Sequence, residues 1–221
     1  MKRNVITFAA GAALLALAAP AAADLPPELK AFDEQVPGDL VNDPTRIDWA
    51  SYGPELEAGA RQSPEIPGGG AARVFTIKAK GAFPYTSSAN IPLLAEIRSG
   101  DQMTVGFYAR VVSTDRADGK GTIGVRFQEN AAPYGGFGDS TVLVGSEWQW
   151  YEVTAVADKR IRKADAIVTL QLAGEKQVIE IGQAIVVKGS PTIIAKAAPP
   201  TLKEASGIEM PDSLRNIGQL V

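Results

Sequence analysis

Apolar and polar residues alternate along much of the chain from about residue 72 onward. The clearest stretch is 102–112, whose one side consists of Met103, Val105, Phe107, Ala109 and Val111. The other side consists of Thr104, Gly106, Tyr108 and Arg110. Successive side chains of a strand point to opposite faces, so this period of two predicts a β-strand with one buried face.

Further strands are predicted at 73–80, 122–128, 141–144, 148–156, 166–172 and 178–187. The second of these turns Ile123, Val125 and Phe127 inward, and 166–172 turns Val168, Leu170 and Leu172 inward. Asp118-Gly119 is a hairpin turn signal, and 129–140 is predicted as a long loop. Strands spaced by turns, with almost no helix, predict an all-β antiparallel jelly-roll sandwich.

The two ends of the chain differ from the alternating centre. Residues 1–23 are typical of a signal peptide, with Lys2 and Arg3 before an apolar run and Ala21-Ala22-Ala23 before the predicted cut. This predicts export to the periplasm or the cell exterior. The alternative is a membrane anchor, which the short apolar run disfavours. No later segment approaches about 18 consecutive apolar residues, so the mature chain is predicted to have no membrane span.

The mature chain divides into three predicted parts. Residues 24–60 form an N-terminal segment that packs on the sandwich, with a helix near 27–36 and with Trp49 and Tyr52 as anchors. Residues 61–188 form the sandwich itself. Residues 189–221 form a proline-containing tail, in which a short helix is predicted near 211–217.

Composition limits the chemistry that this fold can carry. The chain has no Cys and no His, which excludes disulfides, thiol nucleophiles, imidazole bases and the usual zinc ligands. Carboxylate pairs remain as an alternative, but Glu129, Asp139, Glu147 and Glu180 lie in no recognisable acid/base motif. We therefore expect no enzyme activity, no metal and no cofactor. The net charge of −3 argues against nucleic acid as a partner.

Several short motifs resemble those of one protein family. They are Ala82-Phe-Pro-Tyr85, Ile97-Arg-Ser-Gly-Asp101, Val105-Gly-Phe-Tyr-Ala-Arg110, Glu147-Trp-Gln-Trp-Tyr151 and Gln177-Val-Ile-Glu-Ile-Gly182. In this order they resemble the cellulose- and xylan-binding jelly-roll modules of bacterial xylanases, which belong to the galactose-binding-domain-like superfamily. The resemblance covers about residues 70–188. It implies a non-catalytic protein that binds an oligo- or polysaccharide of plant or bacterial type.

Many members of that family hold a structural calcium through an Asp in the closing strand. The corresponding segment here reads Ile181-Gly-Gln-Ala184 and has no Asp. The resemblance therefore implies no calcium ligand at this point.

Sugar binding needs flat aromatic faces and planar polar groups. The polar strand faces supply Tyr108, Arg110, Arg126, Gln128 and Gln171, with Thr169 beside them, and Gly106 and Gly124 are expected to deepen a groove between them. Loops supply Tyr85, Tyr134 and Phe137. These eight ligand candidates, apart from Thr169, predict a glycan site. The alternative is a structural or protein-interaction sandwich of the cell envelope, whose polar face is only solvated and whose tails contact a protein partner.

Overall fold

The predicted inward-facing residues line the space between two antiparallel β-sheets in a computed structural model that describes residues 25–194. The predicted signal segment 1–23 and the tail from 195 to 221 lie outside the described residues. Within 25–194, no helix has the length and apolar character needed to cross a membrane. The elements are α1 (Pro27–Asp33), β1 (Asp39–Leu40), β2 (Ala50–Tyr52), β3 (Leu56–Gln62), β4 (Ala71–Ile77), a 3₁₀ turn (Pro84–Thr86), β5 (Ser88–Pro92), β6 (Gln102–Thr114), β7 (Gly121–Glu129), β8 (Gly136–Val144), β9 (Gln149–Val156), β10 (Ala166–Gln171) and β11 (Gln177–Lys188).

The strands divide between a back sheet and a front sheet. The back sheet has the order β3-β4-β11-β6-β9, and β1 also pairs with β11. The front sheet has the order β2-β5-β10-β7-β8. The prediction of an all-β sandwich with a short helical segment is confirmed.

The core lies between the two sheets and follows the predicted alternation. Phe75, Phe107 and Phe127 are fully buried there, and they come from β4, β6 and β7. The predicted inward faces of β6, β7 and β10 all belong to this one cluster. Each sheet thus contributes one apolar face, and its other face points away from the core.

The part of the back sheet's outer face formed by β11 is covered by the N-terminal segment. Leu29 and Phe32 of α1 pack with Ile185 and Val187 of β11 in a second, smaller apolar cluster, and α1 lies within the helix predicted near 27–36. Residues 190–194 join this cover through Glu152, whose carboxylate accepts hydrogen bonds from the backbone N–H groups of residues 193 and 194, both at 3.0 Å. The outward-facing residues Thr104, Gly106 and Tyr108 of β6 are therefore buried as well.

The hairpin predicted from Asp118-Gly119 is wrong about which strands are neighbours. β6 and β7 are not a hairpin, since β6 pairs with β9 and β11 whereas β7 pairs with β8 and β10. The Asp118-Gly119 turn exists, with Gly119 in the left-handed region at φ 68°, but it carries the chain from one sheet to the other. The apolar faces of β6 and β7 consequently meet across the core.

Other strands lie where the pattern shows no alternation. β3 exposes nearly all of its residues, and β5 buries four in succession before Pro92, so neither has a period of two. The loop predicted at 129–140 is shorter than expected, because β8 already begins at Gly136. Trp49 is buried in the main core as predicted, whereas Tyr52 is half exposed.

Truncation of Phe107 tests the inter-sheet core. We expect Phe107→Ala to lower the free energy of unfolding by about 3–5 kcal/mol, since it removes a fully buried ring and leaves a cavity. The matched control Phe83→Ala removes an exposed ring and should cost less than about 1 kcal/mol. Urea denaturation measures both. Equal losses would contradict the placement of Phe107 in the core.

Candidate functional site

A groove of about 730 Å³ runs across the outer face of the front sheet. It receives side chains from β2, β5, β7, β8 and β10, and from the loop between β7 and β8. Its lining residues are Tyr52, Tyr85, Asn90, Arg126, Gln128, Asn130, Tyr134, Asp139, Thr169 and Gln171. Five of the eight predicted ligand residues are brought together here: Tyr85, Arg126, Gln128, Tyr134 and Gln171.

Exposed aromatic rings surround this groove. Tyr52, Tyr85 and Tyr134 line it and are 48%, 51% and 58% exposed. Phe83, also about half exposed, stacks on Tyr85 with ring centroids 5.1 Å apart and an interplanar angle of 4°. Large exposed rings lose the stabilisation that burial would give them, so their concentration at one groove indicates a binding surface.

The backbone holds Tyr134 in an unusual conformation. Its φ is 57°, in the left-handed region that non-glycine residues seldom adopt. Its N–H donates to the carbonyl oxygen of Ala131 at 2.7 Å, which closes a tight turn. Local strain of this kind is common where a side chain has a functional role. The turn presents the ring of Tyr134 at the groove.

A row of polar side chains crosses the floor of the groove. The strand register places Asn90 of β5, Thr169 of β10 and Arg126 of β7 directly beside one another. Thr169 Oγ1 donates to Asn90 Oδ1 at 2.9 Å, and Asn90 Nδ2 donates to Asn130 Oδ1 at 3.3 Å. These bonds fix the orientation of both amides, so the floor is preorganised for hydrogen bonding.

Two further amides in the groove remain available for a ligand. Within residues 25–194, the side chains of Gln128 and Gln171 make no hydrogen bond to the protein. Gln171 lies over Gly124, where a Cβ would come within 3.0 Å of its side chain. An amide has two donor hydrogens and an acceptor oxygen, which suits it to neighbouring sugar hydroxyls.

The groove has one pair of opposite charges. Arg126 Nη1 donates to both carboxylate oxygens of Asp139, each at 2.6 Å. A β-bulge places Asp139 there, because the register of β7 and β8 shifts between Val125 and Phe127 and Gly138 adopts a φ of 74°. Only glycine enters that region at low cost, so the bulge depends on Gly138.

Comparison with known proteins bears on the fold alone. No protein-family model matches the chain, and no curated protein sequence does. A solved structure of a CBM4 module is 17% identical with a TM-score of 0.50, and the match covers 63% of this chain and 94% of that chain. The fold is that of a carbohydrate-binding module.

Two further solved structures are similar to this chain. The arabinose-bound MgGH51 α-L-arabinofuranosidase is 11% identical with a TM-score of 0.50, over 65% of this chain and 23% of that chain. The CBM22-1 xylan-binding domain from Paenibacillus barcinonensis Xyn10C is 9% identical with a TM-score of 0.46, over 70% of this chain and 97% of that chain. The match to the CBM4 module confirms the resemblance inferred from the sequence motifs as a likeness of fold.

Tyr108 lies away from the groove of this module-like sandwich. It belongs to β6 in the back sheet, where it is only 9% exposed and packs edge-on against Trp150 at 4.9 Å between centroids. Burial raises the pKa of its phenol. Gly106, expected to deepen the groove, lies beneath the same Trp150 ring, where a Cβ would clash. The expectation that Tyr108 and Gly106 share one groove with Arg126, Gln128 and Gln171 is therefore wrong, because β6 lies in the other sheet.

Arg110 also belongs to the back sheet, and it is held in an ion-pair network. Its Nε donates to Glu180 at 2.7 Å, and Arg61 Nε donates to the same carboxylate at 2.9 Å. Hydrogen bonds to Glu180, and then to Glu65, raise the pKa of Arg61. The Arg110 guanidinium lies 5.2 Å from the ring centroid of Trp148. The structure thus surrounds Arg110 with protein partners.

Phe137 points into the core. Its ring stacks on Phe127 at 5.3 Å, and it belongs to β8 rather than to the loop expected at that point. The strand begins at Gly136, where a Cβ would clash with the carbonyl oxygen of Phe127. This close approach of the two strands turns Phe137 inward.

Sequence reasoning did not select Tyr52, Asn90, Asn130 or Asp139 as site residues, although all four line the groove. Tyr52 and Asn90 come from β2 and β5, which pair with each other but are separated by more than thirty residues. The polar residues Ser88 and Asn90, two positions apart, are the one signal that these strands share the polar face. Among residues 25–194, no group of three or more acidic side chains is placed to hold a metal ion.

Glu180 offers a test of the back-sheet network. Its side chain is 6% exposed, and its carboxylate forms ion pairs with Arg61 and Arg110. Glu180→Gln should lower the free energy of unfolding by about 1–3 kcal/mol, because two partly buried guanidinium groups lose their counter-charge. The control Glu57→Gln removes an exposed partner of Lys78 in the same sheet and should cost less than about 1 kcal/mol. Urea denaturation measures the free energy of unfolding of both variants, and equal losses would contradict a stabilising role for the Glu180 network.

Proposed function

We propose that this protein binds an oligo- or polysaccharide in the front-sheet groove and does not cleave it. The observation that carries the proposal is the concentration of exposed aromatic rings at a polar groove. Tyr52, Tyr85 and Tyr134 line it, and Phe83 stacks behind Tyr85. Aromatic faces pack on the C–H surfaces of sugar rings, while amides and hydroxyls meet the sugar hydroxyls. Both kinds of group converge here.

The extent of the groove across the front sheet supports an extended ligand. Its lining spans all five strands of the front sheet, so several sugar units of one chain would contact different strands. The aromatic rings stand at its sides and the polar row of Asn90, Thr169 and Arg126 forms its floor. Contacts of this kind give weak binding, with a dissociation constant on the order of micromolar to millimolar.

The acidic groups of the groove support a non-catalytic role. Hydrolysis of a glycosidic bond ordinarily needs two carboxyl groups that flank the bond. Asp139 is the one carboxylic acid among the ten lining residues. Arg126 already holds both of its oxygens, so Asp139 is poorly placed to donate a proton or attack a sugar.

The predicted export of the chain agrees with this role. A signal peptide at residues 1–23 would deliver the protein to the periplasm or the cell exterior, where polysaccharides occur. The absence of Cys from the whole chain means that folding there needs no disulfide formation. Fractionation of cells that express the full chain, with sequencing of the mature N-terminus, tests the predicted cut before Asp24.

Calorimetry with glycans tests the proposal directly. The purified protein should bind at least one of xylan, β-glucan, cellulose and pectin fragments with a dissociation constant at or below the millimolar range. The heat of binding should disappear when the groove is altered and should persist when other surfaces are altered. If no fragment binds at millimolar concentration, a structural or protein-interaction role would replace the proposal.

Two groove variants and two controls locate the binding site. Tyr134→Ala and Gln171→Ala should each weaken glycan affinity by about five- to a hundred-fold, or about 1–3 kcal/mol, because each removes a stacking or hydrogen-bonding surface. Leu143→Ala and Gln62→Ala alter exposed residues outside the groove lining and should leave affinity within about two-fold. If Tyr134→Ala and Gln171→Ala both leave glycan affinity unchanged, the glycan does not bind in this groove.

A further inference from the structure

The groove has a polar floor, and its lining residues carry no net charge. Arg126 is the one cation and Asp139 the one anion among its lining residues. The two are joined through Nη1 at 2.6 Å to each carboxylate oxygen. We propose that Asp139 makes the groove selective for uncharged glycans by neutralising Arg126. This inference rests on the proposed function and concerns the ligand class of the same site.

The different exposures of Arg126 and Asp139 explain how the pair would disfavour a negatively charged glycan. The side chain of Asp139 is 63% exposed, whereas that of Arg126 is 27% exposed. A glycan that carries a carboxylate or sulfate would therefore meet the negative charge of Asp139 as it approached Arg126. To reach the guanidinium it would also have to replace two charge-assisted hydrogen bonds. Juxtaposed like charges strongly disfavour a complex.

The backbone of β8 keeps Asp139 in this position. Gly138, with a φ of 74°, forms the bulge that puts Asp139 opposite Arg126. Phe137, on the other side of Gly138, is fixed in the core against Phe127. A residue at position 138 with a side chain would approach Ala155 within 2.6 Å. The position of the carboxylate is thus part of the sheet geometry rather than a chance contact of two surface side chains.

Nearby cations do not offer an acidic glycan a substitute for Arg126. The loop between β9 and β10 contains Lys159, Arg160, Arg162 and Lys163, and none of these four cations lines the groove. Lys159, Arg160 and Arg162 are paired. Each of the three has a carboxylate partner: Asp158 for Lys159, Glu96 for Arg160 and Asp165 for Arg162. Three of the four cations of this loop are therefore compensated, and the fourth, Lys163, is not among the lining residues of the groove.

Polysaccharide pairs with a common backbone and different charge test the inference. Suitable pairs are methyl-esterified pectin and polygalacturonate, hydroxyethylcellulose and carboxymethylcellulose, and arabinoxylan and glucuronoxylan. The full chain, in affinity electrophoresis and calorimetry, should favour the uncharged member of each pair that it binds by about ten-fold or more. Asp139→Asn should improve affinity for the charged member by about five- to ten-fold, and this gain should shrink at about 0.5 M NaCl.

Matched variants test whether the gain in affinity for the charged glycan comes from the release of Arg126. Asp118→Asn removes the partner of Arg116, an ion pair of the same type away from the groove lining, and should leave every preference unchanged. The double variant Arg126→Gln/Asp139→Asn should lose the gain, since the released cation is then absent. Circular dichroism of each variant checks that the sandwich is intact, and any gain made by a folded Asp139→Asn protein is then a property of the site.

The possible failures are distinguishable. If the wild-type protein binds both members of a pair equally, or if folded Asp139→Asn gains nothing for the charged member, the selectivity is overturned while glycan binding stands. If neither the wild-type protein nor any variant binds a member of any pair at millimolar concentration, the proposed function is overturned and the selectivity with it.

Discussion

The burial of two apolar sheet faces against each other determines the rest of this structure. The chain has no Cys, so no disulfide assists the core. Stabilisation comes instead from apolar area removed from water, with Phe75, Phe107 and Phe127 fully buried at the centre. Because strand side chains alternate, each residue committed to this core commits its two neighbours to the opposite face. The outward position of Arg126 and Gln128 follows directly from the inward position of Val125 and Phe127.

The outer faces of the two sheets differ in how far other parts of the chain cover them. The back sheet is covered by α1 and by residues 190–194, which bury Ile185, Val187 and Trp150 in a second apolar cluster. The outward-pointing residues Thr104, Gly106 and Tyr108 of β6 consequently meet protein rather than water, whereas Val112 farther along the strand is exposed. The front sheet has no such cover within the described residues, and its outward side chains form the groove. Among the described residues, one outer face is thus largely covered by other parts of the chain and the other faces solvent, and the groove lies on the second.

The sequence predicted what depends on local periodicity and missed what depends on pairing. The inward faces of β6, β7 and β10 follow from a period of two within each strand, and they are confirmed. The assignment of strands to sheets depends on contacts between distant residues, so Tyr108 and Arg110 could not be separated from Arg126 on the same evidence. Asn90 and Tyr52 were not predicted as site residues, because β5 and β2 are short and show no clear alternation of apolar and polar residues. Asp139 required knowledge of a bulge, which one glycine in a glycine-rich segment does not specify.

The hydrogen bonds within the groove matter as much as its composition. Sugar hydroxyls and protein amides are both well solvated, so exchanging water for sugar gains little unless the protein groups are already oriented. The chain Thr169–Asn90–Asn130 and the Arg126–Asp139 pair supply that orientation at the floor of the groove. The aromatic rings contribute the apolar part of the contact and are about half exposed. A floor fixed by internal bonds and bordered by exposed rings keeps its shape without a ligand, which lowers the ordering cost of binding one.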